Sequence, residues 1–591
     1  MHTSNALLRN DPYDEIDTKV RVAVDRIKAL LSAGEHLMVP CSFGKDSSSV
    51  LNLVVIALIE VRDEGLPLPA VSVVMADTEI EIPENLHYAL GQIRELKAFA
   101  VREGLDIDVR VARPLLKEKM LVKIISGRAL PSFAGVKRDC SVDMKQKPMR
   151  RVLRSITKSL QGARRPPCVK LLGTRFSESA VRNRGMRERG DSDSAIREQD
   201  GERILCPIAA WSTDDVWEFL ALCGTGRRYP AYVESFRETL RIYSAAAGEC
   251  AAITGGDDSA APCGGARYGC SLCCATGTQD KTMNALLADP EMDYLCGLGR
   301  LRTFLVNTQH DLSRRRWIGR DVDPDTGYVR IAPNNYNAAM TELLLRCALT
   351  LDKRERDRAG RVGDALARGE IPDTERNRHM SAPQFELIGA RDLVAIDLIW
   401  AQDSLQRPFQ ALRIWDEVHN HGLETDVPEV TYTERRPMPQ PKWLHVGRYE
   451  EGYGFFDPIA EGLCESCSPE GVDPLMGEAF DVDIETAWFI LDEERDRLLQ
   501  HNVDPGYTPT GAFWYYVNLG VVQFRPGQDA TLSRMLRRGE FWREHGLAGD
   551  IDVVSLPTIS DAEYRALKTC SPDRAVAAGQ VELPLHFPAV C

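Results

Sequence analysis

Short apolar segments alternate with amphipathic segments over the first 240 residues. Apolar segments of strand length lie at 36–40, 70–76, 105–112 and 169–173. Segments with apolar residues at helical spacing lie between or before them, at 19–33, 50–61 and 85–103. Strands that alternate with helices form parallel sheets covered by helices, so this pattern predicts an α/β domain with a parallel sheet over residues 1–240.

The pattern changes beyond residue 240. From 241 to 280 Gly, Ala and Cys dominate and regular periodicity is lost, whereas helical spacing returns at 282–310. A densely charged segment at 353–380 is typical of a solvated helix and linker. After residue 440 the chain is rich in Trp, Tyr and Pro and mixes short strands with a helix near 484–500. We therefore predict four regions, at 1–240, 241–320, 321–440 and 441–591.

Composition narrows the classes of protein. The longest strongly apolar stretch, 51–61, contains Asn52 and Glu60, and a membrane span needs about 20 mostly apolar residues. No apolar signal segment opens the chain, so we expect a cytoplasmic protein with no membrane partner. The net charge of -14 argues against a simple nucleic-acid coat protein but does not exclude a local basic groove.

A polar loop joins the first predicted strand to the following helix, with the sequence S-F-G-K-D-S at 42–47. Such a loop in a parallel sheet can bind phosphate, because backbone N–H groups at the helix N-terminus point at the anion. Gly44 permits close backbone approach, Ser42 and Ser47 offer hydroxyl donors, and Lys45 supplies positive charge. The plain alternative is a polar strand-to-helix turn.

Two common nucleotide loops are excluded at this place. The Walker form, G-x-x-x-x-G-K-[ST], fails because Asp46 follows Lys45 and the position of its first glycine, five residues before Gly44, is Val39. The dinucleotide form G-x-G-x-x-G is absent. The string S-x-G-K-D-S instead resembles the PP-loop of the ATP pyrophosphatase superfamily. Many members carry glycine where Phe43 stands, although the sulfonucleotide-reductase-like branch often has an aromatic residue there.

Other motifs resemble the same branch. One is Asp77-Thr78, followed by Pro83-Glu84. The resemblance implies that the Asp77 carboxylate orients adenosine or Mg²⁺. The alternative is that Asp77 caps the next helix. Gly173-Thr174-Arg175 implies an arginine that grips phosphate with its planar fork, held in position by Glu178. Ser212, after a P-I-x-x-W string, is predicted to cap the helix that starts at Thr213.

A basic run contains elements that resemble the R-x-C and K-x-x-P elements of this branch, at 138–140 and 145–148. Between residues 137 and 158 there are eight Lys or Arg and two acids. The basic residues are Lys137, Arg138, Lys145, Lys147, Arg150, Arg151, Arg154 and Lys158. This run is a candidate contact for a phosphate backbone, and the alternative is a helix face exposed to water.

Four cysteines fall in the Gly-rich segment: Cys250, Cys263, Cys270 and Cys273. Their spacings favour a [4Fe–4S] cluster over zinc, because zinc ribbons usually show two C-x-x-C pairs and one is present here. Unliganded thiols are the third alternative. Cys274 and Cys140 are alternative ligands. The pair Cys464 and Cys467 is interpreted as structural or incidental.

The string R-Y-G-C-S-L-C at 267–273, with D-K-T-M at 280–283, resembles the DNA phosphorothioation sulfurtransferases of the DndC and SspD type. All the motifs occur in family order over about residues 15–320. The resemblance implies a PP-loop (adenine nucleotide α-hydrolase-like) domain with an inserted iron–sulfur segment and a C-terminal mixed helical and strand region. It implies ATP, Mg²⁺ and a [4Fe–4S] cluster as cofactors, with DNA, a cysteine desulfurase as sulfur donor and other phosphorothioation proteins as partners.

The resemblance also assigns roles to residues. Lys45, Asp46 and Arg175 are expected to be catalytic. The same three residues are expected to bind the nucleotide together with Ser42, Phe43, Gly44, Ser47, Asp77 and Gly173.

Two other functions stay open. A sulfonucleotide reductase shares the PP-loop and uses a C-terminal thiol; Cys591 is the last residue, but it lies in HFPAVC rather than in an E-C-G-x-H tail. The alternative from another class is a non-catalytic iron–sulfur subunit that binds DNA or acts as a scaffold.

Overall fold

A computed structural model defines the fold. It describes residues 14–133, 139–161, 168–178, 180–199, 201–247, 269–278, 280–323, 325–437, 439–447, 480–501, 508–524, 529–548 and 556–569. The chain divides into two compact units that interleave along the sequence. The first draws on 1–114, 141–271 and 279–292, and the second on 115–140, 272–278 and 293–591.

A six-stranded sheet forms the centre of the first unit. Its strands are β1 (Leu37–Pro40), β2 (Val71–Ala76), β3 (Ile107–Ala112), β4 (Val169–Leu171), β5 (Arg197–Gln199) and β6 (Glu202–Leu205). They lie in the order β3-β2-β1-β4-β6-β5, and all neighbours are parallel except β5 and β6. The predicted α/β fold with a parallel sheet is confirmed.

The strand order creates a switch point at β1. Leu37 pairs with Val71 of β2 on one side and with Val169 of β4 on the other. The chain therefore leaves β1 toward one half of the sheet, and β4 begins the other half. Ligands of such sheets bind outside the carboxyl ends of the strands at this point.

Helices occur in both units. In chain order they are α1 (Asp14–Ser32), α2 (Lys45–Asp63), α3 (Pro83–Glu103), α4 (Met120–Ile125), α5 (Asp139–Ser141), α6 (Lys147–Gln161), α7 (Ala180–Arg189), α8 (Thr213–Leu222), α9 (Arg237–Ala247), α10 (Lys281–Leu287), α11 (Cys296–Asn307), α12 (Ala338–Ala367), α13 (Glu375–Met380), α14 (Ala390–Gln402), α15 (Gln410–His419), α16 (Ile484–Phe489), α17 (Arg495–His501), α18 (Pro509–Asn518), α19 (Asp529–Glu544) and α20 (Asp561–Thr569).

The apolar run at 50–61 belongs to α2, which is buried on nearly every side in the core of the first unit. No helix in the described part of the chain is long and apolar enough to cross a membrane.

The predicted cap of α8 is confirmed, because Ser212 Oγ accepts a hydrogen bond from Asp215 N–H at 3.0 Å. The sequence predicts that regular periodicity is lost from residue 241. This prediction is wrong for residues 241–247, because α9 continues through Ala247. The three consecutive alanines there are strong helix formers.

The second unit contains an antiparallel sheet in the order β12-β9-β8-β7 and a two-stranded sheet of β10 and β11. These strands are β7 (Arg315–Val322), β8 (Tyr328–Tyr336), β9 (Lys442–His445), β10 (Phe480–Val482), β11 (Val522–Phe524) and β12 (Thr558–Ser560). The charged segment at 353–380 forms the second half of α12 and then α13.

Two buried carboxylates brace the helices of the second unit. Asp352 of α12 accepts hydrogen bonds from the backbone N–H groups of Leu387 and Ile388, at 2.7 and 2.9 Å. Asp397 of α14 accepts hydrogen bonds from Ala411 N–H and from the Tyr516 hydroxyl, each at 2.8 Å. Burial raises the pKa of Asp352 to about 8 and that of Asp397 to about 7.

Candidate functional site

The loop after β1 turns sharply into α2. Cys41 N–H donates to Val74 O at 2.9 Å, which extends the pairing with β2 by one residue. Phe43 is fully buried and has a φ of 57°, in the left-handed region that favours glycine. That conformation costs a non-glycine residue on the order of 1–2 kcal/mol, which burial of the ring offsets. The φ value gives a physical reason why glycine is common at this position in relatives of the loop.

Gly44 is the N-cap of α2 and supplies no side-chain cap to the first turn. The two serines of the loop lie together, with Ser42 Oγ 3.3 Å from Ser47 Oγ. Ser47 Oγ also donates to Gly44 O at 3.0 Å. The loop thus presents the start of a 19-residue helix and two hydroxyls at the carboxyl end of β1.

Asp46 lies in the first turn of α2 and contacts two cationic side chains. Its Oδ2 lies 2.7 Å from Lys45 Nζ, and its Oδ1 lies 2.6 Å from Arg175 Nε. The Arg175 side chain is only 2% exposed. Because a buried guanidinium needs a counter-charge, Asp46 holds the loops after β1 and β4 together.

Other groups complete the surroundings of Arg175. Its Nη1 donates to Ser177 Oγ at 2.8 Å and to Thr213 Oγ1 at 3.3 Å, and it lies 3.4 Å from Trp211 O. The acid that pairs with Arg175 is Asp46 rather than the predicted Glu178. In this arrangement the fork of Arg175 points into the protein, which suits a residue that positions Asp46 and Lys45.

Gly173 brings the two strand-end loops into close contact. A Cβ atom at this glycine would lie 2.9 Å from Asp46 O and 3.1 Å from Ser47 N. Both neighbours are backbone atoms of the first turn of α2, which cannot swing aside as a side chain can. The glycine of the G-T-R motif is therefore required by space.

Asp77 lies at the end of β2, one strand away from the loop after β1. Its Oδ1 accepts a hydrogen bond from Glu79 N–H at 2.9 Å, and its Oδ2 lies 3.0 Å from Arg113 Nε. The alternative that Asp77 caps the next helix is wrong, because α3 begins at Pro83 with Ile82 as its N-cap.

Part of the cysteine segment lies on the loop after β2. Cys270 forms an antiparallel bridge with Glu81, and Ser271 N–H donates to Ile80 O at 2.8 Å. Cys270 Sγ is 3.4 Å from Thr78 Oγ1. Cys270 is therefore next to the D-T element and at the same edge of the sheet as the loop after β1.

Of the other candidate ligands, two lie outside the described residues, and Cys273 and Cys274 lie in the second unit. Cys250 and Cys263 lie outside the described residues, as do Cys464, Cys467 and Cys591. In the second unit Arg302 Nε donates to Cys273 O at 3.0 Å, and burial raises the pKa of the Cys274 thiol to about 12. Within the described ranges there is no group of three or more His, Cys, Asp or Glu side chains that could hold a metal ion.

The basic run forms the amphipathic helix α6. Leu153 and Ile156 pack into an apolar cluster of the first unit, whereas Arg150, Arg154 and Lys158 are exposed. Among the described residues these three cations form no ion pair. The exposed three are called the α6 basic face below. Lys137 and Arg138 lie outside the described residues.

Sequence reasoning missed three side chains at this edge: Ser177, Thr213 and Arg113. A signal for Arg113 was available, because it directly follows β3 and the carboxyl ends of parallel strands share one edge. Ser177 and Thr213 carry no signal of their own, since their role depends on the position of Arg175.

Comparison with known families assigns this part of the chain. Residues 36–225 match the family model of the phosphoadenosine phosphosulfate reductase domain. The match includes all six strands of the first sheet and both loops at the switch point. These residues therefore form a domain of that kind, within the PP-loop superfamily. No curated protein matches the chain.

The close approach at Gly173 gives a direct prediction. Gly173→Ala should lower affinity for ATP and destabilise the fold by about 1–3 kcal/mol, because the new methyl must displace backbone of α2. Isothermal titration with ATP and thermal unfolding measure the two effects. Gly91→Ala in α3 is the control: its Cβ would meet only Arg94 Nη2 at 3.7 Å, so it should leave ATP binding unchanged. Normal ATP affinity in a folded Gly173→Ala protein would contradict this account.

Proposed function

We propose that the first unit binds ATP at the loop after β1 and cleaves it between the α- and β-phosphates. The support is the family match together with the position of the loop at the switch point of the sheet. Gly44 leaves the first turn of α2 without a side-chain cap, which suits a phosphate at the helix N-terminus, and Gly173 lets the loop after β4 lie against that turn. Lys45, Ser42 and Ser47 are the groups proposed to hold the phosphates.

The carboxylates of this site fit Mg²⁺ less well. Both oxygens of Asp46 and both oxygens of Asp77 already accept contacts from protein donors. Mg²⁺ keeps several waters and is often bound through substrate phosphates, so the ATP phosphates are the better ligands.

We propose DNA as the acceptor of the activated group, in line with the resemblance to phosphorothioation sulfurtransferases. The observation that carries this proposal is the α6 basic face. Arg150 and Lys158 are eight residues apart, which on a helix corresponds to about 12 Å. A row of cations of that length, without protein counter-charges, suits a chain of phosphates better than one small nucleotide.

The proposed reaction has two displacements at phosphorus and a final thiol–disulfide exchange. A non-bridging oxygen of a DNA phosphate attacks the α-phosphorus of ATP, the α–β bond breaks, and pyrophosphate leaves. A persulfide sulfur, delivered by a cysteine desulfurase, then attacks the DNA phosphorus and AMP leaves. An external thiol finally cleaves the sulfur–sulfur bond to leave the phosphorothioate. Lys45 is proposed to stabilise the charge that develops on the leaving pyrophosphate.

A sulfonucleotide reductase is the second candidate, and the family match itself favours it. The two functions differ in what they consume: a reductase turns over a sulfonucleotide with a thiol and releases no pyrophosphate from ATP. Incubation with each nucleotide in turn separates them. A scaffold subunit would turn over neither.

Lys45→Ala should reduce pyrophosphate release from ATP on the order of 100-fold or more, because it removes a preorganised charge at the leaving group. The fold should survive, since Asp46 keeps its contact with Arg175. Lys97→Ala, an exposed lysine of α3, is the matched control. Unchanged pyrophosphate release in Lys45→Ala would rule out this loop as the phosphate site. Asp46→Ala is a poor test, because it leaves the buried Arg175 without its counter-charge.

The α6 basic face can be tested by charge reversal. Arg150→Glu with Arg154→Glu should weaken DNA binding and lower the slope of log K against log salt by roughly one to two, at about 0.9 per phosphate contact on duplex DNA. ATP binding should be unchanged. Arg154 is chosen over Arg151, whose Nη2 lies 3.5 Å from Arg113 O. An unaltered salt slope in the folded variant would show that α6 is only a solvated face.

We further propose that Cys250, Cys263, Cys270 and Cys273 bind a [4Fe–4S] cluster. Protein purified without air should absorb broadly near ~400 nm, and Cys270→Ser or Cys273→Ser should lose this band and most of the iron. Cys296→Ser, a partly exposed cysteine outside the set, is the control. Stoichiometric zinc without iron in the anaerobic protein would replace the cluster by a zinc site.

A further inference from the structure

A row of aromatic rings lies on the second unit. The ring of Phe133 is 6.2 Å from that of His310, and the ring of His310 is 6.3 Å from that of Tyr432. Tyr432 is 43% exposed, and the other two rings are partly exposed. The structure thus leaves three aromatic side chains partly exposed to solvent in a part of the chain to which no function has been assigned.

Hydrogen bonds hold this row in place. Gln309 Nε2 donates to Tyr432 Oη at 3.2 Å. The extended segment that carries Tyr432 is anchored at the end of α11, where Thr433 N–H donates to Asn307 O at 2.9 Å and Asn307 Nδ2 donates to Val430 O at 2.8 Å. The row is therefore built by tertiary interactions between separate segments.

A buried cation lies beside the row. Arg315 is 4% exposed, its Nη2 donates to Gln309 O, and its guanidinium lies 4.8 Å from the centre of the Tyr336 ring. Among the described residues Arg315 forms no ion pair, and its Nη1 has no hydrogen-bond partner. Because Arg315 is buried, its charge acts on the surface through the electrostatic field and not by direct contact with a ligand.

Two exposed cations extend the positive charge. Arg435 and Arg436 follow Tyr432 on the same segment, and neither forms an ion pair within the described ranges. Burial and the charges of Arg435 and Arg315 lower the pKa of His310, which keeps its imidazole neutral near pH 7. Of the nearby acids, Asp311 is paired with Arg314 at 3.0 Å, and Glu434 is exposed.

We propose that this surface, formed by Phe133, His310, Tyr432 and Arg435, binds an unpaired stretch of DNA by stacking a base and contacting the adjoining phosphates. Aromatic rings beside unpaired cations match the alternation of base and phosphate in a single strand. An acidic peptide would use the cations but leave the ring faces unoccupied. The choice of DNA rests on the proposed function. The arrangement of rings and cations is observed independently of that function.

The test compares two fluorescent oligonucleotides of about ten residues, within the site sizes of single-strand binders. One is oligodeoxythymidylate and the other is an abasic strand of the same length, which keeps the phosphates and lacks the bases. Fluorescence anisotropy of the full chain measures binding. Tyr432→Ala should weaken binding of the thymidylate strand roughly 10-fold and leave binding of the abasic strand unchanged. Tyr432→Phe keeps the ring and should bind like the parent chain.

Arg435→Glu should weaken binding of both strands and lower the salt slope by about 0.7 for each phosphate that the arginine neutralises on a single strand. The charge control is Arg361→Glu. Arg361 is exposed and lies about 35 Å along α12 from the first turn of that helix. This variant should change neither the affinity nor the salt slope.

Three outcomes would overturn the proposal: no binding of thymidylate at low salt, full binding by Tyr432→Ala, or an equal weakening on the abasic strand. Binding of ATP by Tyr432→Ala, measured by isothermal titration, should stay at the parental level. The effect of removing the stacking ring can therefore be observed whether or not the chain modifies DNA, and failure of the proposed reaction would leave this binding result intact.

Discussion

The approach of Gly173 to the first turn of α2 is the constraint on which the candidate site depends. Because no Cβ separates the loops after β4 and β1, Arg175 can reach Asp46 and bury its guanidinium against that carboxylate. Asp46 in turn fixes Lys45 in the first turn. Removing one partner of a buried ion pair costs about 3–5 kcal/mol, so this contact ties the shape of the loop to the stability of the sheet edge.

The sheet and the loop after β1 were predictable, whereas the partner of Arg175 was not. Strands of a parallel sheet are buried on both faces and therefore appear as continuous apolar runs. Asp46 and Arg175 are 129 positions apart, and they meet only because β4 lies beside β1. A single sequence does not give strand order. Glu178 was the nearest acid along the chain, but nearness in sequence does not decide which carboxylate meets a strand-end arginine.

The cysteine segment shows the same limit. Spacing in the sequence identifies a group of thiols, but it does not place Cys270 beside Thr78, which is 192 residues away. That placement depends on the bridge between Cys270 and Glu81. That bridge explains why the D-T element and the cysteine motif occur together: both contribute to one edge of the first sheet. The aromatic row of the second unit has no sequence signature, because Phe133, His310 and Tyr432 are widely separated and none belongs to a repeating pattern.

The acidic charge of the whole chain, -14, does not oppose the proposed contacts with DNA. Charges on the surface are screened within about 8 Å at physiological ionic strength, so a phosphate responds to the side chains next to it rather than to the net charge. Most arginines of the described chain are paired with carboxylates, which cancels their local field. The α6 basic face and the cations beside the aromatic row are not cancelled in this way. A polyanion at either place would therefore meet cations whose charge no described carboxylate offsets.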